Sequence, residues 1–309
     1  MTVMALIDRI PFGMSLPHRS PDPIAPATVR GVAQRAEALG FRDLWVTENT
    51  LDHVTSFDPV AVLTYAAAVT SRIRLGASVL VLPVHDPRMT AHQWASLDAL
   101  SGGRAVMGVG IGRPAHYREF EVPPEGRVGR FREQLSLIRA LWSQERVTFK
   151  GRFYDVETIR LGIRPVQQPL PIWAGVGHPD AIRRAAALAD GWMGAGGSTT
   201  EDFRRSVPIL KAELEKSGRD PDQFPISKRI FMAIDDDPAK ARAMLHRWYA
   251  EVYHNPAGTE TSGLYGTAET IAARLEEFVA MGANHLLLNP IANHQEQLEA
   301  CAAAIGASG

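Results

Sequence analysis

The sequence has few of the residues that would link it to an oxidising compartment or to a charged partner. Its 309 residues include a single cysteine, Cys301, so no internal disulfide can form. Lysine and arginine total 33 against 34 aspartates and glutamates, and no basic block is present. Nucleic acids and anionic membrane surfaces are bound by clustered positive charge, so neither is expected as a partner and a small molecule is favoured.

Long apolar runs and several common catalytic motifs are also missing. No stretch approaches the ~20 apolar residues of a membrane span, and Met1 is not followed by a charged and then apolar leader, so we expect a cytoplasmic protein. No H-x-x-x-H or H-E-x-x-H run is present, and His85, Asp86 and His92 straddle a loop and a helix, which predicts no metal site. A serine hydrolase would need a G-x-S-x-G elbow, which is lacking.

The stretch from Ser71 to Gly112 predicts a strand, a helix and a second strand. Ile73 to Leu82 and Arg104 to Gly110 are nearly continuous apolar runs, typical of parallel strands covered on both faces. Met89 to Leu100 can form the helix between them. Glycines end the second strand, where missing side chains let the backbone approach another group. These glycines are Gly108, Gly110 and Gly112.

The same alternation continues through the chain. Eight strands are predicted, at residues 10–16, 41–47, 73–82, 104–110, 171–174, 191–195, 225–234 and 284–288. Helices are predicted at residues 27–39, 58–69, 89–100, 126–142, 179–189, 200–217, 237–253, 267–281 and 294–305. Val147 to Asp155 is typical of a short hairpin, within an insertion around residues 146–170. Eight parallel strands alternating with helices predict one (β/α)8 TIM barrel over residues 1–309.

A doubly wound open sheet is the structural alternative. Against it, Ile10 to Pro17 lacks the G-x-G-x-x-G that opens a dinucleotide-binding unit. The later glycines, from Gly108 to Gly112, have the wrong spacing, and Arg113-Pro114 follows where a helix should start. A closed barrel is therefore preferred.

Seven segments in a fixed order, which together cover nearly the whole chain, carry a resemblance to a known family. They are GFRDLWVTEN, DPVAVLTYAAAVTSRIRLGASVLVLP, LDALSGGRAVMGVGIG, GRVGRFREQLSLIRALW, GRFYDV, PLPIWAGVGHPDAIRRAAALADGWM and YGTAETIAARLEEFVAMGANHLLL. In these segments the sequence resembles the luciferase-like monooxygenase family of flavin and coenzyme F420 enzymes. The resemblance implies the same eightfold barrel, with a noncovalent cofactor at the carboxyl ends of the strands.

The resemblance also implies cofactor-binding positions. Family members hold the cofactor phosphate near a turn that matches residues 175–178, where free N–H groups at a helix start suit an anion. They support the cofactor ring on a strand bulge with a non-proline cis peptide bond, here at Ser78-Val79. They place an acid near the ring, and several FMN-using members bind the phosphate with an arginine. The implied residues are Glu48, Ala77, Ser78, Val79, Arg113, Gly175, Val176, Gly177 and His178.

Proton transfer is where the sequence departs from the family. Family members place a histidine after the acid, whereas this chain has Asn49, which cannot exchange protons near neutral pH. His53 and His116 are the candidate replacements, although a solvated loop histidine explains either one. F420-dependent sugar-phosphate dehydrogenases carry a catalytic glutamate near the position of Arg113. Both departures argue against sugar-phosphate chemistry.

The resulting prediction is an oxidoreductase that uses coenzyme F420 for hydride transfer to or from a small organic substrate. One alternative is an FMN-dependent monooxygenase supplied with reduced FMN by a separate reductase. Another, suggested by Asn49, is a cofactor-binding protein with little turnover. An aldolase or isomerase would need a catalytic lysine at a strand end, for which Lys228 is a weak candidate. By resemblance we expect a homodimer, with a separate flavin or F420 reductase as a partner.

Overall fold

The computed structural model describes residues 4–307, and its eight main strands form a closed parallel barrel. Numbered in chain order, they are β1 Phe12–Ser15, β2 Asp43–Val46, β3 Arg74–Ala77, β4 Ala105–Gly110, β5 Ile172–Ala174, β6 Gly191–Gly194, β7 Ile226–Ile234 and β8 His285–Pro290. Each strand pairs with its neighbours in parallel. The circle closes where β4 pairs with β5, with Met107 opposite Ile172. The predicted TIM barrel is confirmed, and this closure excludes the open sheet.

Helices cover the outside of the barrel. The longer ones are Pro26–Ala38, Pro59–Val69, Pro87–Ser101, Arg127–Ser143, Pro179–Leu188, Thr200–Lys216, Pro238–Tyr253, Ala268–Ala280 and His294–Ile305. Several begin with proline, whose missing N–H is not needed in a first turn. Asp58, Asp86 and Asp237 cap three of these helices by accepting backbone N–H groups. Across residues 4–307, no helix has the length and apolarity that crossing a membrane requires.

Several local features differ from the sequence-based expectation. The predicted strand at 73–82 is interrupted, because β3 ends at Ala77 and pairing resumes at Leu80–Val81. The prediction that Arg113-Pro114 prevents a helix is wrong, since Pro114–Glu119 forms a short helix with the proline at its first position. The hairpin is confirmed, and it pairs Val147–Lys150 with Asp155–Ile159. Further short elements are Leu6–Arg9, Arg19–Ser20, Thr55–Ser56, Leu82–Val84, Gly258–Thr261 and Leu264–Gly266.

Aromatic and polar side chains close the amino-terminal end of the barrel. The rings of Trp45 and Trp173 lie 5.1 Å apart inside it, and His285 packs edge-on against Trp173 at 5.2 Å. His285 Nε2 lies 2.9 Å from Asp43 Oδ1, and its Nδ1 lies 2.7 Å from Ser227 Oγ. Asp43, His285 and Ser227 therefore each make a hydrogen bond inside the barrel, whereas Asp43 Oδ2 makes none with the described residues and lies 3.6 Å from Arg74 Nη2. Side chains therefore fill this part of the barrel interior.

The glycines of β4 make room for β3. A Cβ at Gly108 would overlap the carbonyl oxygen of Ala77, and one at Gly110 would lie 2.6 Å from the side chain of Val79. Just after β4, a Cβ at Gly112 would lie 2.4 Å from the side chain of Val81. The close backbone approach expected at these glycines is therefore an approach to the neighbouring strand.

We expect Gly108→Ala to lower the free energy of unfolding by about 3 kcal/mol, the upper end for an overpacked core, because the new methyl group meets backbone rather than a movable side chain. Denaturant unfolding followed by circular dichroism measures the change. Gly162→Ala is the control, since its Cβ meets nothing within 4 Å. Equal stability of the two variants would contradict the close contact between β3 and β4.

Candidate functional site

A large pocket opens at the carboxyl ends of the barrel strands. It encloses about 1400 Å³, including the open space at its mouth. We call it the main pocket, and its wall is built from residues within 47–49, 78–81, 110–113, 175–178, 193–197 and 229–231. A smaller cavity of about 780 Å³ adjoins it, which we call the side recess. The side recess is bounded by Arg19, Asp52, His53, Val252 and His254, and Glu48, Asn49, Arg113 and His116 border both cavities.

The structure brings most of the expected site residues together. The main pocket is lined by Glu48, Asn49, Ser78, Val79, Arg113, His116, Gly175, Val176, Gly177 and His178. Two expected residues lie elsewhere. His53 faces the side recess, and Ala77 is buried in β3 behind the pocket wall. The turn, the bulge and the strand ends therefore share one cavity, although they are far apart in the chain.

The wall at Ser78 and Val79 is a bulge in β3. Leu75 pairs with Ala105 and Leu80 with Val109, so β3 uses one more residue than β4 over this interval. The Ser78-Val79 peptide bond is cis, as expected from the resemblance. The side chain of Val79 fits against the glycines at the ends of β4 and β5, since a Cβ at Gly175 would lie 2.5 Å from it. The bulge is thus held between two neighbouring strands.

The turn before helix Pro179–Leu188 lines the main pocket. His178 caps this helix, and its Nδ1 accepts the N–H of Asp180 at 3.3 Å. A Cβ at Gly177 would meet nothing within 4 Å, so this side of the turn is open. Within residues 4–307, no group accepts the N–H of Gly177 or His178. Free donors at a helix start suit an anion such as a phosphate.

Asn49 is oriented by a buried histidine that sequence reasoning missed. His18 donates from Nδ1 to the Leu16 carbonyl at 2.7 Å, and its Nε2 accepts the N–H of Thr47 at 2.8 Å. Burial lowers the pKa of His18 to about 3, so the ring stays neutral. Asn49 Nδ2 donates to Thr47 Oγ at 2.8 Å, and that oxygen also contacts His18. Asn49 can therefore orient a ligand but cannot exchange its proton.

Glu48 forms an ion pair with His85. His85 Nε2 donates to Glu48 Oε1 at 2.6 Å, and the N–H of Val81 donates to Oε2 at 2.6 Å. Burial opposes both charges, but the pairing outweighs it: the pKa of Glu48 is lowered and that of His85 is raised. Sequence reasoning considered His85 only as a metal ligand. In the part of the chain that the structure describes, no three His, Cys, Asp or Glu side chains form a cluster that could hold a metal.

The two candidate proton-transfer histidines differ in their surroundings. His116 Nδ1 accepts the N–H of Arg113 at 3.1 Å, which leaves Nε2 as the protonated nitrogen. Burial, and then the Arg113 guanidinium, lower the pKa of His116. His53 instead contacts the Glu251 carbonyl at 2.7 Å and stacks on His254 with ring centroids 4.4 Å apart. Of these two candidates, His116 borders the main pocket, and its Nε2 has no hydrogen-bond partner among the described residues.

Lys228 supports a loop of the main pocket. Its ammonium donates to the Ser198 carbonyl at 2.8 Å, to Ser198 Oγ at 2.9 Å, and to the Ala195 carbonyl. These three acceptors match the three N–H groups of an ammonium. The side chain is 1 % exposed, and burial lowers its pKa to about 7. Lys228 is enclosed behind the 195–198 loop, which argues against a catalytic lysine that attacks a substrate.

Lys228 and Arg229 are two charged residues within a buried strand, a pattern that sequence reasoning did not use. They are adjacent cations in β7, where all nine residues are buried. A long buried strand rarely carries two charges, so such a pair marks a position with a polar contact to make. Arg229 reaches the wall of the main pocket.

The end of β6 contributes one pocket residue. Trp192 donates to the Val176 carbonyl at 2.9 Å and stays in the core, while Met193 lines the main pocket.

Comparisons with known proteins relate this chain to named enzymes. A family model described as luciferase-like monooxygenase matches residues 10–261. An F420-dependent glucose-6-phosphate dehydrogenase of Kineococcus radiotolerans is 34% identical over 238 residues, which cover 74% of this chain and 70% of that protein. A 5,10-methylenetetrahydromethanopterin reductase of Archaeoglobus fulgidus is 32% identical over 208 residues, which cover 67% of this chain and 60% of that protein.

Solved structures share the fold. A coenzyme F420-dependent tetrahydromethanopterin reductase from Methanopyrus kandleri superposes with a TM-score of 0.82 at 22% identity, and the match covers 96% of this chain and 98% of that one. An F420-dependent secondary alcohol dehydrogenase in complex with an F420-acetone adduct also has a TM-score of 0.82, at 20% identity, with 97% and 99% covered. At these identities the likeness is one of fold.

The Glu48–His85 pair predicts a pH-dependent contribution to stability. The raised pKa of His85 stabilises the fold fully below its ordinary value of 6.5, and this contribution is lost as pH rises through the folded-state value. The lowered pKa of Glu48 stabilises the fold above its ordinary value of 4.5, and this contribution is lost as pH falls through the folded-state value. Both are fully present between pH 4.5 and 6.5.

We therefore expect His85→Gln to cost about 1.5 kcal/mol near pH 5.5, the strength of a hydrogen bond between charged groups, and less near pH 9. Urea unfolding at both pH values measures the difference. His92→Gln, which replaces an exposed histidine of helix Pro87–Ser101, is the matched control. A cost that does not change with pH would argue that His85 is neutral in the folded protein.

Proposed function

This chain belongs to the luciferase-like monooxygenase family, and we propose that it is an oxidoreductase in which noncovalently bound coenzyme F420 exchanges a hydride with a small organic molecule. The observation that carries the proposal is the single pocket shared by the β3 bulge and the open turn at residues 175–178. The Kineococcus radiotolerans relative is named as F420-dependent, which supports this cofactor.

The residues of the main pocket fit such a cofactor. F420 supplies a ring that accepts or donates hydride, and its phosphate is an anion. The N–H groups of Gly177 and His178 have no acceptor among the described residues, so they can hold that phosphate. The Arg113 guanidinium is exposed at the rim, where it can make a forked contact to the same group. Val79 and the bulge form the wall for the ring.

His116 is our candidate for proton exchange with the substrate. Oxidation of an alcohol releases a proton as the hydride leaves, and the reverse reaction takes one up. Asn49 cannot supply this step, whereas His116 has a free Nε2 where the main pocket meets the side recess. The lowered pKa of His116 keeps the ring neutral near pH 7. While Nδ1 accepts the Arg113 N–H, Nε2 carries the proton and can donate it to a substrate oxygen. To accept the proton of an alcohol at Nε2, the ring must change to the other tautomer, in which Nδ1 gives up the Arg113 contact.

The substrate is expected to differ from glucose 6-phosphate. Asn49 and Arg113 replace the histidine and glutamate that the family's sugar-phosphate dehydrogenases carry, so the proton-transfer groups of that reaction are missing. The side recess, bordered by Glu48, Asn49 and His116, is the space for the substrate. A homodimer, a separate reductase and a cytoplasmic location also remain proposals, and light scattering tests the first.

Titration of the purified protein with F420 and with FMN tests the cofactor. We expect F420 to bind at least about tenfold more tightly than FMN, a difference of about 1.4 kcal/mol, as measured by the cofactor's absorbance or fluorescence. Gly177→Val should weaken F420 binding by filling the open side of the turn, whereas Gly162→Val, in the insertion, should not. Tighter binding of FMN would favour the monooxygenase alternative, and binding of neither would refute the proposal.

A second experiment tests His116. With any substrate that reduces bound F420 in a panel of alcohols, aldehydes and sugar phosphates, His116→Gln should lower kcat by about 100-fold or more, the usual contribution of a general acid or base. The affinity for F420 should stay within about twofold of the wild type. His92→Gln is the control. Loss of cofactor affinity without loss of kcat would assign His116 to binding, and turnover of glucose 6-phosphate would contradict the expected substrate.

A further inference from the structure

Arg229 is a buried cation without an anionic partner in the wall of the main pocket. It is 9% exposed and lies in the middle of β7. Its Nε donates to Asn289 Oδ1 at 2.8 Å and its Nη1 to the Ser78 carbonyl at 3.3 Å. The Phe231 ring packs against the guanidinium at 4.5 Å. Among residues 4–307, no carboxylate acts on its charge, in contrast to Arg19, which pairs with Asp52 at 2.5 Å.

The guanidinium is only partly satisfied by these contacts. It carries five N–H groups, and two neutral oxygens accept two of them. Nη2 donates to no acceptor among the described residues. It is not among the fully buried side-chain atoms that lack a partner, so it is accessible, and Arg229 lines the main pocket. Burial of a charge is costly unless it is paired. The titratable groups that act on Arg229 are the neutral phenols of Tyr253 and Tyr249 and the cations Arg19 and Lys228. The site is therefore incomplete without an anion.

The position of Arg229 indicates which anion. Nη1 contacts the carbonyl of Ser78, within the bulge that the proposed function assigns to the cofactor ring. Hydride transfer moves a hydrogen nucleus and two electrons from a substrate C–H bond to a ring carbon of F420. The substrate hydroxyl proton goes to a base, and the ring gains one negative charge, shared by the nitrogen and carbonyl of its pyrimidine edge. A fixed cation beside that edge stabilises the reduced ring more than the oxidised ring.

We infer that Arg229 binds the pyrimidine edge of the F420 ring and favours its reduced, anionic form. The inference rests on the proposed function, because it requires F420 in the main pocket. The inference gives Arg229 a role that the turn and the bulge do not have. The turn and the bulge hold the cofactor, whereas Arg229 sets how readily the bound cofactor accepts hydride.

The test compares the affinities of oxidised and reduced F420 without substrate. We expect Arg229→Met to weaken binding of the reduced form about tenfold more than that of the oxidised form. For a two-electron couple, this equals a bound-cofactor potential lower by about 30 mV. Arg229→Lys keeps the charge and should retain most of the preference. Arg113→Gln is the matched control, since a rim cation that holds the phosphate should weaken both forms equally.

Each outcome is decisive. An unchanged ratio of affinities in Arg229→Met would overturn the inference, and so would a raised substrate KM with both cofactor affinities intact, since Arg229 would then bind a substrate anion. Replacing an unpaired buried charge with methionine is compatible with folding. If that variant does not fold, a tenfold change of the ratio in Arg229→Lys would argue against a role of charge. Failure of wild-type protein to bind F420 would instead refute the proposed function.

Discussion

The packing of β3 and its bulge against three glycines, two in β4 and one just after it, shapes the side of the pocket that we propose for the cofactor. Gly108 admits the Ala77 carbonyl, Gly110 admits the Val79 side chain, and Gly112 faces Val81. Because Gly108 and Gly110 in β4 and Gly112 just after it lack side chains, the chain can bulge at Ser78 and Val79 while Leu75 and Leu80 stay paired with Ala105 and Val109. The same bulge presents the Ser78 carbonyl to Arg229 and the Val81 N–H to Glu48. Strand packing and site geometry therefore depend on one contact.

Charge is distributed unevenly around the site that this packing creates. Glu48 is neutralised by His85, and Arg19 by Asp52. Lys228 donates to three oxygens of a single loop. Arg229 also contacts only neutral acceptors among the described residues, but unlike Lys228 it lines the main pocket. Because pairing removes most of the field of an ion, the unpaired guanidinium dominates the electrostatics at the base of the pocket.

Much of the fold, and less of the site, could be predicted from the sequence. The apolar runs and helical periodicity located every barrel strand and the longer helices, because both patterns report burial that is local in the chain. The bulge at Ser78-Val79 followed only from family resemblance. The contacts of Arg229 with Ser78 and of His85 with Glu48 join residues distant in sequence, and no periodic pattern encodes such a pair. The glycines of β4 were noticed, but a single sequence does not reveal that their neighbour is β3.

Cofactor binding relies mainly on backbone groups, whereas the reaction relies on side chains. This difference explains why the cofactor can be inferred more readily than the reaction. The proposed ring wall and the proposed phosphate turn consist largely of backbone groups, the bulge at Ser78 and the N–H donors at Gly177 and His178, so many sequences can build them. Proton transfer depends on single side chains at strand ends, where one change, such as Asn49, removes the chemistry without disturbing the barrel. A chain can therefore keep the cofactor of its family while the substrate and proton path change, and His116, on the short helix after β4, is placed for such a change.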